Sequence, residues 1–439
     1  MSAKELTFQC GFGMPDWPLV VGKELIDNAL DACEEQGIAP RIEVTVTTDS
    51  ITVADNGAGM PPGMVDRLLD FSVRVSSREA YVAPDRGAQG NALKTILAMP
   101  FVVDGERGRV EICGGGTRSD ITISVDRLRQ CPKADIARTA EVGSFVRVHW
   151  PVRPTLEDEL EADELTGYLD PDDRRFLQVV SDFSFLNPHL TLVIDWFGTR
   201  SEVTATDPDW QKWTPSSPTS PHWYRREDLE RLVAAYLVFD QDHGRDRTVR
   251  EFVAEFRGLT STIKQKAVLA ATATSRAPLS SLANDTRSDI DKGKIAALLA
   301  AMREHSSPVK PRALGTIGEA HLRERFGALG IVEESFRYAR HFSTGDHQLP
   351  QVTEHAFAAL KEGGQRRLVS GVNWSASWVN LFRQLGAAGR SLDSELQAKF
   401  AGFREPIVLL VHVAHPRVQY SDRAKSQVIV DDYLGDYDG

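Results

Sequence analysis

In the run KELIDNALDA, the polar residues Glu24, Asn28 and Asp31 stand at i, i+4 and i+7, so a helix through them puts all three on one face. A carboxylate and a carboxamide one turn apart suit a hydrated magnesium ion, the amide oxygen binding the metal while the carboxylate orients a water. A plain solvated face is the commoner origin of such a pattern, but it leaves the asparagine unexplained, because asparagine is a poor helix-interior residue. Further on, DNGAGM places Asp55 directly ahead of Gly57 and Gly59, at the end of the β-branched run ITVA. Glycines so spaced let backbone approach a ligand closely. A dinucleotide fingerprint would put its acid about twenty residues after its glycines, and the GxxxxGK(S/T) phosphate loop is absent. What remains is an acid aimed at the edge of a base. RGAQGNALKT then supplies Gly87 and Gly90 ahead of an apolar helix, whose first amides can cradle phosphate; alone, it would pass for an ordinary loop.

These residues need elements to hold them. PLVVGKELIDNALDACEE has helical apolar spacing and ends near Gly37, and RIEVTVTTDSITVAD alternates like two strands joined at Thr48, Asp49 and Ser50. Strand patterns recur at GRVEICGG, SDITISVDRL and SFVRVHW and close at HLTLVIDWFG, so residues 1–205 are expected to form a helix-and-strand sandwich. The Pro- and Ser-rich stretch 206–222 is expected to be a linker. Residues 223–310 turn helical through EDLERLVAAYLVF, TVREFVAEF, TIKQKAVLAA and GKIAALLAAMREH. Residues 311–439 mix helix patterns (HAFAALKE, VNLFRQLG) with strand patterns (RRLVSGVNW, PIVLLVHVA). The fold class expected is a multidomain α+β and α/β chain.

The 439 residues are 41% hydrophobic and 26% charged, enough for two or three cores. A net charge of −11 excludes a generic polyanion binder, so any contact with nucleic acid must use a local basic face. Cys10, Cys33, Cys113 and Cys131 form no CxxC pair, which argues against a zinc site or a disulfide framework. The N-terminus has no signal-peptide core and no apolar run reaches membrane length, so a cytoplasmic protein without a membrane partner is expected.

In this order, KELIDNALDA, ADNGAGM and RGAQGNALKT resemble the Bergerat-fold (GHKL) ATPases shared by gyrase-type topoisomerases, MutL, heat-shock chaperones and histidine kinases. The resemblance implies a Bergerat ATPase sandwich with ATP and magnesium (Mg2+) as cofactors. It implies Glu24 as general base, Asn28 as metal ligand, Asp55 reading the adenine amino group beside Gly57 and Gly59, and Gly87 with Gly90 closing a lid over the phosphates. The implied binding set also takes in Asp31, Met60, Gln89, Asn91, Ala92 and Lys94. It includes the Ser76, Ser77, Arg78 run ahead of the lid, and Ser144 in EVGSFVRV, where the family often has a threonine near the phosphates. Ala92 replaces a usual glycine and Arg78 a usual lysine.

Beyond the first motifs, DFSFLNPHLTLVID, DRTVREFVAEFRGLTSTIKQKAVL, ALGTIGEAHL and PIVLLVHVAHPRVQYSDRAKSQVIV resemble topoisomerase VI B subunits. That implies a helix–two-turn–helix middle domain and a transducer, whose loop lysine, here Lys425, reaches the γ-phosphate. Fourteen residues follow Lys425, too few for the long C-terminal helix that docks the DNA-cleaving A subunit. The resemblance implies an ATP-induced homodimer clamping duplex DNA beside a separate cleaving partner. Alternatives are a repurposed relative coupling DNA sensing to an effector nuclease, or a protein-directed ATPase of the MutL or chaperone sort. Arg245, Arg247, Arg250, Arg257, Lys264 and Lys266 crowd a short span and are the expected DNA face, although basic residues at helical spacing are usually just solvated.

Overall fold

The computed structural model describes all residues except 1, 70–79, 87–91, 127–130, 152–168, 171–172, 215, 285–288, 345–348, 383–391, 399–400, 402–403, 419, 421–427 and 429–439. The chain begins with α1 (Ala3–Cys10) and α2 (Trp17–Glu35), followed by the hairpin β1 (Arg41–Val46) and β2 (Ser50–Asp55). Next come α3 (Pro62–Leu69), α4 (Ala92–Asp104), β3 (Gly108–Gly114), β4 (Thr117–Asp126), β5 (Cys131–Ala140) and β6 (Ser144–His149). Then α5 (Arg174–Leu186), β7 (Thr191–Trp196) and β8 (Thr199–Val203) complete an eight-stranded sheet in the order β5-β4-β3-β6-β2-β1-β7-β8. Within this sheet only the β1–β7 pairing is parallel.

Helix α2 starts where Pro18 fits the first turn and stops before Gly37, which sits at φ 68°. Its Leu19, Val21, Leu25, Ile26, Leu30 and Cys33 are buried, and it lies on β2 and against α5. β1 alternates between buried and more open positions as a half-covered strand should. α1 and α4 pack side by side, with Leu6 buried between them.

The later chain forms α6 (Arg226–Asp242), α7 (Val249–Ala254), α8 (Thr262–Ala271), α9 (Lys292–Glu304) and α10 (Glu319–Ala328). A second sheet follows, from β9 (Arg337–Thr344), β10 (Pro350–Ala359), β11 (Arg367–Val372), β12 (Ser375–Ser377) and, after α11 (Leu392–Ala398), β13 (Ile407–Ala414). Its order is β12-β11-β13-β10-β9. HAFAALKE, expected as helix, is largely strand: β10 is hydrogen-bonded to β13 on one side and β9 on the other, and these two ladders override the helix preference of its alanines. The described part of VNLFRQLG is not helical, and CPKADIARTA, unread as structure in the sequence, forms the edge strand β5. Stretch 206–222 is packed rather than free: Trp213 is buried, its ring centroid 4.7 Å from that of Trp223, and its amide donates to the Leu314 carbonyl. Among the described residues no helix is long and apolar enough to cross a membrane.

Candidate active site

The site grows from the end of β2 and the face of α2 that lies above it. Register pairs Asp55, the last residue of β2, with Ser144, the first of β6. The Ser144 hydroxyl donates to Asp55 Oδ2 at 2.7 Å, and the Gly57 amide donates to Oδ1 at 2.8 Å. Both donors fix the orientation of the carboxylate. Burial raises the Asp55 pKa above its ordinary 3.8, against the lowering effect of those two bonds. Ser144 therefore stands beside the acid, at the end of the site expected to take the base.

The glycines have a packing reason of their own. Gly59 sits at φ 67° and pairs as a bridge with Gly114 at the end of β3. A Cβ on Gly59 would lie 2.7 Å from Gly114 Cα, and one on Gly114 would lie 2.1 Å from the Met60 amide nitrogen. The close approach that demands glycine here is loop on strand, and it sets the height of the turn carrying Asp55. Met60 packs, half-buried, against the core. Asn56 locks the same turn from the other side, accepting the Arg41 amide at 2.8 Å and donating to the Ala39 carbonyl.

On α2, Asn28 alone among residues 17–34 is exposed. Glu24, one turn earlier, has a side chain 16% exposed, with Lys23 Nζ 3.4 Å from its Oε1. Together they form the open polar strip expected of a metal-and-water face. Among the described residues no group of three or more His, Cys, Asp or Glu could hold a metal ion.

Asp31 belongs elsewhere. Arg86, its side chain wholly buried, donates to Asp31 Oδ1 at 2.8 Å, to both oxygens of Glu34 at 2.8 and 2.7 Å, and to Asn187. Glu34 also takes Lys212 at 2.7 Å and His189 at 3.0 Å. Burial opposes ionisation of both acids, but Glu34 has the forked contact and the second cation and is held well below the usual carboxylate range, while Asp31, with one nitrogen of Arg86, is pushed up. Asp31 is thus a structural partner of Arg86 and does not line the open strip. Its place in the binding set is corrected on that ground.

Lys94 lies half-buried in the first turn of α4, which Ala92 begins. Ser76, Ser77, Arg78, Gly87, Gln89, Gly90, Asn91 and Lys425 lie outside the described residues. Of the expected DNA face, Lys264 and Lys266 are exposed on α8, Arg245 pairs with Glu251 at 2.8 Å, and Arg250 donates to Gln265 at 3.0 Å. Arg247 is removed from that face: it is 7% exposed, forked onto Asp240 and bonded to Glu255, so its charge is neutralised inside the fold. Arg86, Glu34, Lys212 and Ser375, all contacts of α2 or its surroundings, were not singled out in the sequence. The signal available was Asp27, Asp31 and Glu34, which also stand at i, i+4 and i+7.

Residues 15–154 match the family described as histidine kinase-, DNA gyrase B- and HSP90-like ATPase, and carry a domain of that family. The span includes α2, the Asp55 turn and Ser144. The chain is similar to the B subunit of type 2 DNA topoisomerase 6 from Archaeoglobus fulgidus, 22% identical over 432 residues, covering 93% of this chain and 66% of that protein. The B subunit of the same enzyme from Halobacterium salinarum is 32% identical over 96 residues, 20% of this chain and 11% of its own length. The chain thus spans less than two-thirds of the length of these relatives. The 43K ATPase domain of Thermus thermophilus gyrase B, solved with an aminocoumarin, aligns over 96% of this chain and 81% of its own at 15% identity, with a TM-score of 0.39.

Proposed function

We propose that this chain is an ATP hydrolase of the topoisomerase 6 B kind, which dimerises on binding ATP and clamps duplex DNA for a separate cleaving partner. The observation that carries it is the placement of an oriented, half-buried acid, Asp55, at the foot of the helix whose one open strip is Glu24 and Asn28. Asp55 accepts the adenine amino hydrogen, and the flanking backbone turn, fixed by Gly59 on Gly114, walls the base. Asn28 would hold a magnesium ion, which supplies charge neutralisation across the phosphates when bound. Glu24 takes a proton from the attacking water. Its neighbour Lys23, itself held by Asp27 at 2.8 Å, sets a fixed positive charge beside the carboxylate and helps to orient it.

On this proposal the exposed basic residues of that span that remain for duplex are Lys264, Lys266, Arg245, Arg250 and Arg257. Glu24→Ala should keep ATP affinity within about threefold while turnover falls by about 100-fold or more, because only the proton acceptor is lost. Asp55→Asn should do the opposite first, weakening binding. Calorimetric affinity beside phosphate-release assays reads both, and near-normal turnover of the Glu24 variant would remove that residue from the chemistry.

A further inference from the structure

Helix α2 carries a second polar strip beside Glu24 and Asn28, and the second sheet holds it. Asp27, Asp31 and Glu34 form this strip, and all three are buried. The Ser375 hydroxyl, at the start of β12, donates to Asp27 Oδ2 at 2.7 Å. Lys23 shares that same oxygen at 2.8 Å and is the residue that also touches Glu24. Further along the helix, Arg86 ties Asp31 and Glu34 to the Asn187 side chain, whose Nδ2 donates to the Trp374 carbonyl at 3.0 Å. Both ties end on the turn and first residue of one hairpin, β11–β12.

That turn is itself held under strain. Asn373 and Trp374 lie at φ 49° and 63°, left-handed values that are costly for residues with a side chain and persist only where the surroundings impose them. Here the Asn373 amide spans the carbonyls of Asp85 and His415, its oxygen accepts the His415 amide, and the Trp374 amide donates to His412 Nε2. The other ring nitrogen of His412, Nδ1, lies 3.4 Å from Glu354. Glu354 in turn accepts the amides of Ile317 and Gly318, just before α10. A buried polar path therefore runs from α2 to the hairpin and on to His412 and His415.

We propose that the β11–β12 hairpin sets the rotation of α2 and that Ser375 and Arg86 are positioning residues for Glu24 and Asn28, so that occupancy of the nucleotide site is felt at the hairpin. A helix turns as a unit, and misplacing a catalytic group by about 1 Å can cost about 100-fold in rate. Coupling of this kind is reciprocal: if the hairpin tunes α2, a ligand on α2 must alter the hairpin. The inference rests on the ATPase proposal above.

The test is hydrogen exchange of residues 367–377 with and without a non-hydrolysable ATP analogue, beside analogue affinity and ATP turnover, for wild type, Ser375→Ala and Ser375→Thr. In wild type the analogue should slow exchange in 367–377 by about tenfold. Ser375→Ala should bind the analogue within about threefold of wild type, lose that response and turn over about tenfold more slowly, while Ser375→Thr, which keeps the hydroxyl, restores both. Analogue binding to wild type with no change at 367–377, or full turnover and response in Ser375→Ala, overturns the inference and leaves the ATPase proposal standing. Failure of wild type to bind the analogue at all overturns both.

Discussion

Asp55 already accepts two hydrogen bonds, and a carboxylate has about four lone-pair positions, so it keeps acceptor capacity for a base edge. Its ionised form is the stronger acceptor for an amino hydrogen, because protonation turns one of the two oxygens into a donor. Since burial sets its pKa above 3.8, affinity for ATP should fall as pH drops from neutral through that raised value, and the fall should be missing from Asp55→Asn. The difference between the two proteins, measured by calorimetry across pH, isolates this from the nucleotide's own titration; parallel curves would contradict it. At this scale the sequence was partly legible. DNGAGM pointed to Asp55 because an acid at a strand end, ahead of two glycines, puts charge where backbone is free to approach a ligand. Asp31 was misassigned because both polar strips of α2 satisfy the same spacing, and what separates them is Arg86, whose contact with Asp31 no local pattern reveals. Arg247 misled similarly, since Asp240 and Glu255 neutralise it only once α6 and α7 are packed.

Among the elements, α2 is the one on which everything hangs, and Gly22 shows how tightly it is seated. A Cβ at that position would lie 2.8 Å from Cζ of Phe176, itself buried on α5. Gly22→Ala should therefore destabilise the fold by about 1–3 kcal/mol through overpacking, despite alanine's better helix propensity. Denaturant unfolding checks it, and a stabilised variant would mean that the α2–α5 contact yields easily. Periodicity revealed α2, the β1–β2 hairpin, the four middle helices and β13, because each has a strong pattern of its own. It failed for β10 and β5, one a central strand written in helix formers and the other an edge strand with little to bury; in both, the partner strands decide.

Across the whole molecule, the apolar N-terminal segment is partly covered by its own chain, with Phe8 left 65% exposed. Leu6 is buried against α4, Gln9 accepts from Thr95, and the Phe12 ring lies 4.5 Å from that of Trp378. An ATP-gated clamp that exchanges this segment between protomers must release these contacts, replacing them in trans at little net cost in buried area. The apolar content of LTFQCGFGMPDWPLVV would then serve two arrangements, one within a chain and one between chains. Light scattering at micromolar protein, with and without a non-hydrolysable ATP analogue, tests this nucleotide gate most directly. The protein should show the monomer's mass without nucleotide and twice that mass with it, the shift being lost in Asp55→Asn; an unchanged mass in wild type with the analogue demonstrably bound would contradict the nucleotide gate.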